Sequence, residues 1–221
     1  DHSSCGERID PQIAADAVRK IAAEYDIKTV MTFGGEPLLY TDAVYAIMKT
    51  ATELNIPKRQ VITSGYFSNK ADKIGEVAER LALCGVNDLL LSVDAFHQET
   101  IPLEPVKEFA LAVKEQGIPL WVQPAWVVNK EHDNPYNRRT AEILAEFEAL
   151  GIPETYGNDI IPNGNAAKYL SEYYDMSKEY VSPYAEDPCD VRAISIDPSG
   201  DLLGGNIYER DVLEILERHE P

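Results

Sequence analysis

The sequence has 221 residues, of which 44% are hydrophobic and 26% are charged, and its formal net charge is −18. This composition fits one globular domain with a sizeable core. The negative charge argues against an electrostatic grip on nucleic-acid phosphates or anionic lipid, because both need clustered Lys and Arg. No apolar run approaches the roughly eighteen residues that span a bilayer, and no signal-peptide pattern opens the chain. We therefore expect a cytoplasmic protein that binds small molecules or other proteins, and neither nucleic acid nor membrane.

Strand and helix patterns alternate along the chain. Apolar runs rich in Val, Ile and Leu predict strands over residues 29–33, 60–63, 88–93, 119–128 and 154–161. Helical periodicity, with proline starts and glycine stops, predicts helices over residues 11–25, 41–55, 70–84, 103–116 and 138–150. Runs that are apolar on both faces and are joined by helices predict a parallel sheet covered by helices, and the repetition suggests a barrel or part of one.

The two ends of this pattern are irregular. The first predicted element is a helix without a strand before it, so we expect a strand and its loop upstream of Asp1 in the full-length protein. The alternative is an N-terminal helix that caps the barrel. A Tyr-rich connector follows Pro162, and a small hairpin around residues 197–200 and a helix over 211–219 are predicted to close the chain. We expect a core domain over residues 1–165 and an extension over residues 166–221.

The first candidate site follows the first predicted strand, in the stretch TFGGEP. Ligands of parallel α/β folds bind where the strands end. Gly34 and Gly35 leave backbone groups accessible there. Glu36 offers an acceptor that suits an ammonium group, and Pro37 stiffens the exit. A tight turn with a carboxylate at a helix start explains these residues equally well.

Other polar residues follow the later strands. Ser64 lies in the loop TSG, whereas Ser92 and Asp94 share one face of the third strand, with His97 in the loop beyond. A buried strand gains nothing from Asp94 unless this residue is paired or faces a ligand. Weaker candidates, of types that are more often turn or surface residues, are Asn129, His132, Pro162, Asn163 and Gly164.

The three cysteines are Cys5, Cys84 and Cys189. They are too scattered for a secreted disulfide framework or a local zinc site. Cys84 lies at the apolar end of a predicted helix and is expected to be an inert core thiol. Cys5 lies in a polar segment and Cys189 begins the hairpin region, so either could be exposed.

In chain order, the segments TFGGEP, TSG, LLLSVDAFH, VVNKEHD, PNGNA and ISIDPSGDLL resemble the successive motifs of the radical S-adenosylmethionine superfamily. The resemblance runs over nearly the whole chain. It implies a partial (β/α)₆ barrel of the TIM type that holds S-adenosylmethionine and a 4Fe-4S cluster. It also implies electron transfer from the cluster, fed by a reductant such as ferredoxin or flavodoxin. The products would be methionine and a 5′-deoxyadenosyl radical that abstracts hydrogen from a substrate.

The same resemblance implies roles for individual residues. The backbone of the TFGGEP turn would hydrogen-bond the methionine amino group of the cofactor, with Glu36 nearby. Ser64, Ser92 and Asp94 would approach the ribose and the methionine carboxylate. The PNGNA segment, with Asn163 and Gly164, would lie near the adenine.

The chain departs from the family pattern at both ends. The family holds its cluster with CxxxCxxC in the loop after the first strand, and that motif is not in this sequence. We expect the cluster ligands in the segment upstream of Asp1. The tail resembles a degenerate SPASM or twitch region, with Gly204 and Gly205 where relatives often have a cysteine. We therefore expect no auxiliary cluster.

Three functions stay open at the level of sequence. The first is a radical S-adenosylmethionine enzyme, of oxidoreductase or maturase type, that acts on an unknown small molecule or peptide. The second is an isomerase or lyase with a divalent metal ion on Glu36, Asp94, His97 and His132, which does not explain the double glycine. The third is a degenerate, non-catalytic barrel that serves as a binding or scaffold module, which the absent cysteines favour.

Overall fold

The computed structural model describes residues 8–182, 187 and 189–219. The strands are β1 Thr29–Thr32, β2 Lys58–Thr63, β3 Asp88–Ser92, β4 Leu120–Gln123, β5 Ala125–Val127, β6 Asn158–Ile160, β7 Asp201–Leu202 and β8 Gly205–Asn206. The α-helices are α1 Pro11–Glu24, α2 Thr41–Glu53, α3 Ala71–Leu83, α4 Leu103–Glu115, α5 Pro135–Ala149, α6 Gly164–Tyr169 and α7 Val212–Glu217. Short 3₁₀ helices cover Pro37–Tyr40, His97–Glu99 and Ser171–Tyr173.

The strands β1 to β4 form one parallel sheet in sequence order. One face of this sheet packs against the helices, and its buried residues include Val61, Leu89, Leu91 and Val122. Because the strands are parallel, all four carboxyl ends lie at the same edge, which we call the carboxyl edge. The loops that carry the candidate site residues therefore meet there.

The opposite face of the sheet is more open, and we call it the inner face. It carries the alternate residues Met31, Ile62, Leu90 and Trp121. The side chains of Met31 and Trp121 remain 41% and 40% exposed. The inner face therefore has an apolar centre, bordered by the polar residues Gln60, Ser92 and Gln123, that the described residues leave partly uncovered.

The strand predicted over 119–128 is broken at Pro124 into β4 and β5. β4 pairs with β3, whereas β5 pairs with β6. Pro124 has no N–H for a ladder, and its carbonyl oxygen accepts the N–H of Asn158 at 2.9 Å. Gly157 has a φ of +85°, and a Cβ there would lie 2.2 Å from that oxygen. Only glycine permits this approach of the two chains.

The parallel α/β arrangement confirms the predicted fold class, but a closed or six-stranded barrel is not confirmed. Within the described ranges, the main sheet has four strands and does not close, and β5 and β6 form a separate parallel pair. An isolated bridge between Val122 and Glu154 joins the two. The helix predicted from residue 138 begins earlier, at Pro135. Asn134 caps it by accepting the N–H of Asn137 at 2.9 Å.

The C-terminal hairpin differs from its prediction. Residues 197–200 do form a turn, in which the N–H of Gly200 donates to the carbonyl of Asp197 at 3.0 Å. The ladder, however, joins β7 to β8 and turns at Leu203 and Gly204, whose φ values are +46° and +80°. Two positive φ values in a two-residue loop match the twist of the paired strands, which places the turn here.

The C-terminal segment packs on α1. A small second core contains Ala17 of α1 with Leu202, Val212 and Ile215. The ammonium of Lys20 also pairs with the carboxylate of Asp211 at 2.7 Å. No helix in the described part of the chain is long and apolar enough to cross a membrane.

Candidate functional site

The turn after β1 presents bare backbone at the carboxyl edge. Gly34 and Gly35 have φ values of +86° and +53°, in the left-handed region that favours glycine. Their backbone groups make no hydrogen bond with other residues that the structure describes. A Cβ added to either glycine would meet no atom within 4 Å. The accessible backbone expected from the sequence is therefore present, with open space in front of it.

The carboxylate of Glu36 is hydrogen-bonded to residues at the end of β2. Its Oε1 accepts the hydroxyl of Thr63 at 2.6 Å and the N–H of Leu38 at 2.9 Å. Its Oε2 accepts both the N–H and the hydroxyl of Ser64, at 2.8 and 2.5 Å. These four donors match the roughly four lone-pair sites of a carboxylate. The carboxylate thus fixes the turn to β2, and a ligand ammonium group would have to share its oxygens with these donors.

The anchoring role of Glu36 leads to a first prediction. Replacing Glu36 with Ala should lower the free energy of unfolding by about 2 kcal/mol, because it removes hydrogen bonds to a charged acceptor that is only partly buried. The S-adenosylmethionine that the resemblance implies at this turn should also bind more weakly, because the turn loses its attachment to β2. Urea unfolding and titration calorimetry measure the two effects.

Glu24→Ala is the matched control, because Glu24 is an exposed residue of α1. It should leave both quantities unchanged within experimental error. Equal stability of the two variants would show that the carboxylate of Glu36 does not anchor the turn.

Asp94 is a buried carboxylate, 1% exposed, at the carboxyl end of β3. Its Oδ1 accepts the N–H groups of Phe96 and His97 at 2.9 and 3.0 Å, and its Oδ2 accepts the N–H of Ala125 at 3.1 Å. The Nδ1 of His97 lies 2.9 Å from Oδ2 and 3.0 Å from Oδ1. These partners satisfy the carboxylate, as a buried charge requires. Asp94 therefore joins the β3 loop to the first residue of β5.

His97 is the charged partner of Asp94. Burial alone would lower the pKa of His97, but the hydrogen bond to Asp94 and the charges of Asp94 and Glu36 raise it above its usual 6.5. A raised pKa means that the ion pair is fully present below pH 6.5 and is lost as the pH rises through the pKa of folded His97.

Two hydroxyl groups close to the carboxyl edge lack internal partners. Ser92 lies at the end of β3, half-buried, in register with Gln123 of β4, and its hydroxyl makes no hydrogen bond with other described residues. Thr32, the last residue of β1, has a buried hydroxyl oxygen with no partner in the described part of the chain. Sequence reasoning missed Thr32, although its position directly before Phe33 and the double glycine was a usable signal. Ser64, in contrast, already uses its hydroxyl on Glu36.

The remaining predicted residues lie in helix starts and loops. Pro37 is the first residue of a 3₁₀ helix. Asn163 caps α6, and its Oδ1 accepts the N–H of Gly164 at 2.8 Å. Asn163 and Gly164 are exposed, and a Cβ on Gly164 would meet no atom within 4 Å. Capping accounts for Asn163 structurally, and its contact with an adenine stays a prediction.

The metal-site alternative finds no support in this geometry. No group of three or more His, Cys, Asp or Glu side chains within residues 8–182, 187 and 189–219 is placed to hold a metal ion. Glu36 and Asp94 use their oxygens on protein donors. His132 lies in the loop between β5 and α5, where its Nδ1 is 3.1 Å from the amide nitrogen of Asn134.

The described cysteines do not fit an iron–sulfur cluster either. Cys84 caps the C-terminal end of α3, which lies at the edge of the sheet opposite the carboxyl edge because α3 returns from the end of β2 to the start of β3. It is half-buried, and burial raises the pKa of its thiol, as expected for an unreactive group. Cys189 is exposed, and Cys5 lies outside the described residues.

Comparisons with known proteins identify the family. The family model of the radical SAM superfamily, where SAM is S-adenosylmethionine, matches residues 4–163, more than half of the chain. The solved structure of 3-keto-D-glucoside 4-epimerase, YcjR, from E. coli in its apo form is similar at 12% identity, with a TM-score of 0.35. That match covers 66% of this chain, and this chain spans 63% of the length of that protein. No curated protein matches the sequence. On the strength of the family match, this chain belongs to the radical SAM superfamily.

Proposed function

We propose that the full-length protein is a radical SAM enzyme that binds S-adenosylmethionine at the carboxyl edge. It would cleave the cofactor reductively and act on a small molecule or peptide. The observation that supports this function most is the turn at Gly34 and Gly35, which offers unpaired backbone and open space where the family binds its cofactor. The oxidoreductase or maturase subtype, the cytoplasmic location and a ferredoxin or flavodoxin reductant are parts of the same proposal.

The residues at the carboxyl edge fit S-adenosylmethionine with distinct roles. The backbone of Gly34 and Gly35 would hold the methionine amino group. Glu36 keeps this turn in place through its bonds to β2. The hydroxyl of Ser92 is available for the ribose or the methionine carboxylate. Asp94, whose oxygens are occupied, acts through the loop and the imidazole that it orients.

The cluster is the second component of the proposal. Since the described thiols do not fit it, its ligands must come from residues outside those that the structure describes. When bound, a 4Fe-4S cluster supplies the electron that splits the sulfonium in this family. The described chain contributes the cofactor site and the partly uncovered inner face beside it. In this proposal, residues 1–165 carry that site and residues 166–221 form the extension.

Titration calorimetry of S-adenosylmethionine against Gly34→Ala tests the cofactor site. The added methyl group enters the space in front of the turn without touching protein, so we expect at least tenfold weaker binding, the loss of about 1.4 kcal/mol. Gly117→Ala is the matched control, because Gly117 also has a positive φ, +74°, and open space, but lies after α4 at the opposite edge. Equal cofactor affinity in both variants would contradict the proposed turn.

Anaerobic reconstitution of the full-length protein with iron and sulfide tests the cluster. The enzyme proposal requires a brown iron–sulfur chromophore with a matching electron paramagnetic resonance signal after reduction. Bound manganese, zinc or cobalt in its place would favour the metal-dependent alternative. Cofactor binding without any cluster would favour the scaffold alternative.

A further inference from the structure

The loop after β5 begins with a strained turn at Val128, the residue that directly follows this strand. Val128 has a φ of +70°, and the N–H of Asn129 donates to the carbonyl of Val127 at 2.9 Å. A hydrogen bond across a single residue of positive φ makes a γ-turn of the rare, strained kind. The strain is greatest for a branched residue such as valine, whose side chain crowds the left-handed backbone. Such a residue persists only where its surroundings hold it.

Two side chains hold this turn in place. The amide nitrogen of Asn137 donates to the carbonyls of Val127 and Asn129 at 3.2 and 2.8 Å, and its Oδ1 accepts the N–H of Val127 at 2.9 Å. The hydroxyl of Tyr174 accepts the N–H of Val128 itself at 3.0 Å. Asn137 belongs to α5, whereas Tyr174 belongs to the Tyr-rich connector. The connector therefore takes part in holding a loop at the end of β5.

The hydroxyl of Tyr174 is inserted into the hydrogen-bond ladder between β5 and β6. This ladder begins where the N–H of Asn158 donates to the carbonyl of Pro124, and its bonds recur at every second residue of each strand. The bond after the last residues of the two strands would join the N–H of Val128 to the carbonyl of Ile160. Instead, Tyr174 accepts that N–H and donates its own proton to that carbonyl at 2.5 Å. The hydroxyl thus keeps the ends of β5 and β6 apart.

The end of β6 leads into the segment that is predicted to lie near the adenine. Ile160 is the last residue of β6, and residues 161–165 follow it. Within this segment, the N–H of Asn163 donates back to the carbonyl of Ile161 at 2.8 Å, so the segment turns immediately after the strand. Its position therefore depends on where the carbonyl of Ile160 is held. One more bond between the strands would draw the end of β6 toward β5 and move the segment.

We propose that Tyr174 is a positioning residue of the cofactor site. Its hydroxyl keeps Val128 in the strained turn and holds the end of β6 where residues 161–165 receive the nucleoside part of S-adenosylmethionine. This inference rests on the proposed function, because it takes S-adenosylmethionine as the ligand at the ends of the strands. The site is then completed by the connector and is not confined to residues 1–165.

Titration calorimetry of S-adenosylmethionine against Tyr174→Phe, in the full-length protein, tests the inference. The change removes only the hydroxyl, so the turn at Val128 can relax and the two strand ends can pair directly. We expect at least about tenfold weaker binding of the cofactor. Tyr180→Phe is the matched control, because its hydroxyl lies in the same connector but donates to the carbonyl of Asp175 at 3.3 Å. It should bind the cofactor as tightly as the unaltered protein.

The variant Val128→Gly separates positioning from a purely structural role of the hydroxyl. Glycine adopts a positive φ without strain, so the turn no longer depends on Tyr174. Adding Val128→Gly to Tyr174→Phe should therefore restore most of the lost affinity. A purely structural hydroxyl predicts no recovery, because glycine replaces neither of its two hydrogen bonds. A double variant that binds as weakly as Tyr174→Phe would overturn the positioning role.

The inference and the proposed function fail in different ways. Equal affinity of Tyr174→Phe and the unaltered protein for S-adenosylmethionine would overturn the inference and leave the proposed function standing. Equally weakened binding in Tyr174→Phe and Tyr180→Phe would assign the effect to the connector as a whole, which also overturns the inference alone. Lack of binding to the unaltered protein would contradict the proposed function and overturn the inference with it.

Discussion

Replacing Asp94 with Ala is expected to lower the free energy of unfolding by about 3–5 kcal/mol, the usual cost of removing one partner of a buried ion pair. The substitution leaves the N–H groups of Phe96, His97 and Ala125 without their acceptor. It also leaves the Nδ1 of His97 without its hydrogen-bonding partner. Urea unfolding followed by circular dichroism measures the loss.

Asp26→Ala is the control for Asp94→Ala. The carboxylate of Asp26 is exposed and pairs with Lys28 at the surface, so its removal should cost less than about 1 kcal/mol. If the two variants were equally stable, the β3 loop would tolerate an unpartnered cluster of N–H groups, and Asp94 would not be the link between β3 and β5.

Gly157→Ala is expected to destabilise the fold by at least about 3 kcal/mol, because a left-handed backbone strain and a clash are combined at one position. The new Cβ would lie 2.2 Å from the carbonyl oxygen of Pro124, a backbone atom that cannot move without shifting β5. Thermal and urea unfolding both report the change.

Gly117→Ala isolates the backbone part of this cost. Its φ of +74° is similar and its surroundings are open, so it should lose only about 1 kcal/mol. The difference between the two variants measures the clash alone. Equal losses of unfolding free energy in the two variants would indicate that β6 can move away from Pro124 at little cost, so that the contact between the two sheets is easily deformed.

The alternation of strands and helices was predictable because the hydrophobic pattern reports burial directly. The same pattern could not show how many strands close the sheet, since curvature and pairing depend on contacts between distant residues. The break at Pro124 is an instructive case. A proline inside a predicted central strand is a warning against that assignment, yet the apolar residues on both sides of it read as one run.

In the candidate site, too, the local features were predictable from the sequence and the long-range contacts were not. The alternation of side chains along a strand placed Asp94 on the same face as Ser92. Because burying an unpaired carboxylate costs free energy, the sequence predicted that Asp94 is paired or faces a ligand. The pairing with His97 is local, but the bond to Ala125 joins residues 31 positions apart in the sequence. For Glu36, the sequence predicted either an acceptor for an ammonium group or a carboxylate at a helix start. The cap on the N–H of Leu38 confirms the second alternative, and the fold also brings Thr63 and Ser64 to Glu36 from the end of β2. Such long-range donors follow from the sheet register and not from a motif.

The partly uncovered inner face has a practical consequence for spectroscopy. The chain has two tryptophans, and Trp121 on this face is 40% exposed, whereas Trp126 is 2% exposed and donates its indole N–H to the carbonyl of Tyr156 at 2.7 Å. We therefore expect the emission of Trp121 to respond to solvent and to bound molecules more strongly than that of Trp126. A molecule that binds to the inner face is expected to change the emission of Trp121, with Trp126 as an internal reference. The two tryptophans thus allow binding at the inner face to be followed without a label.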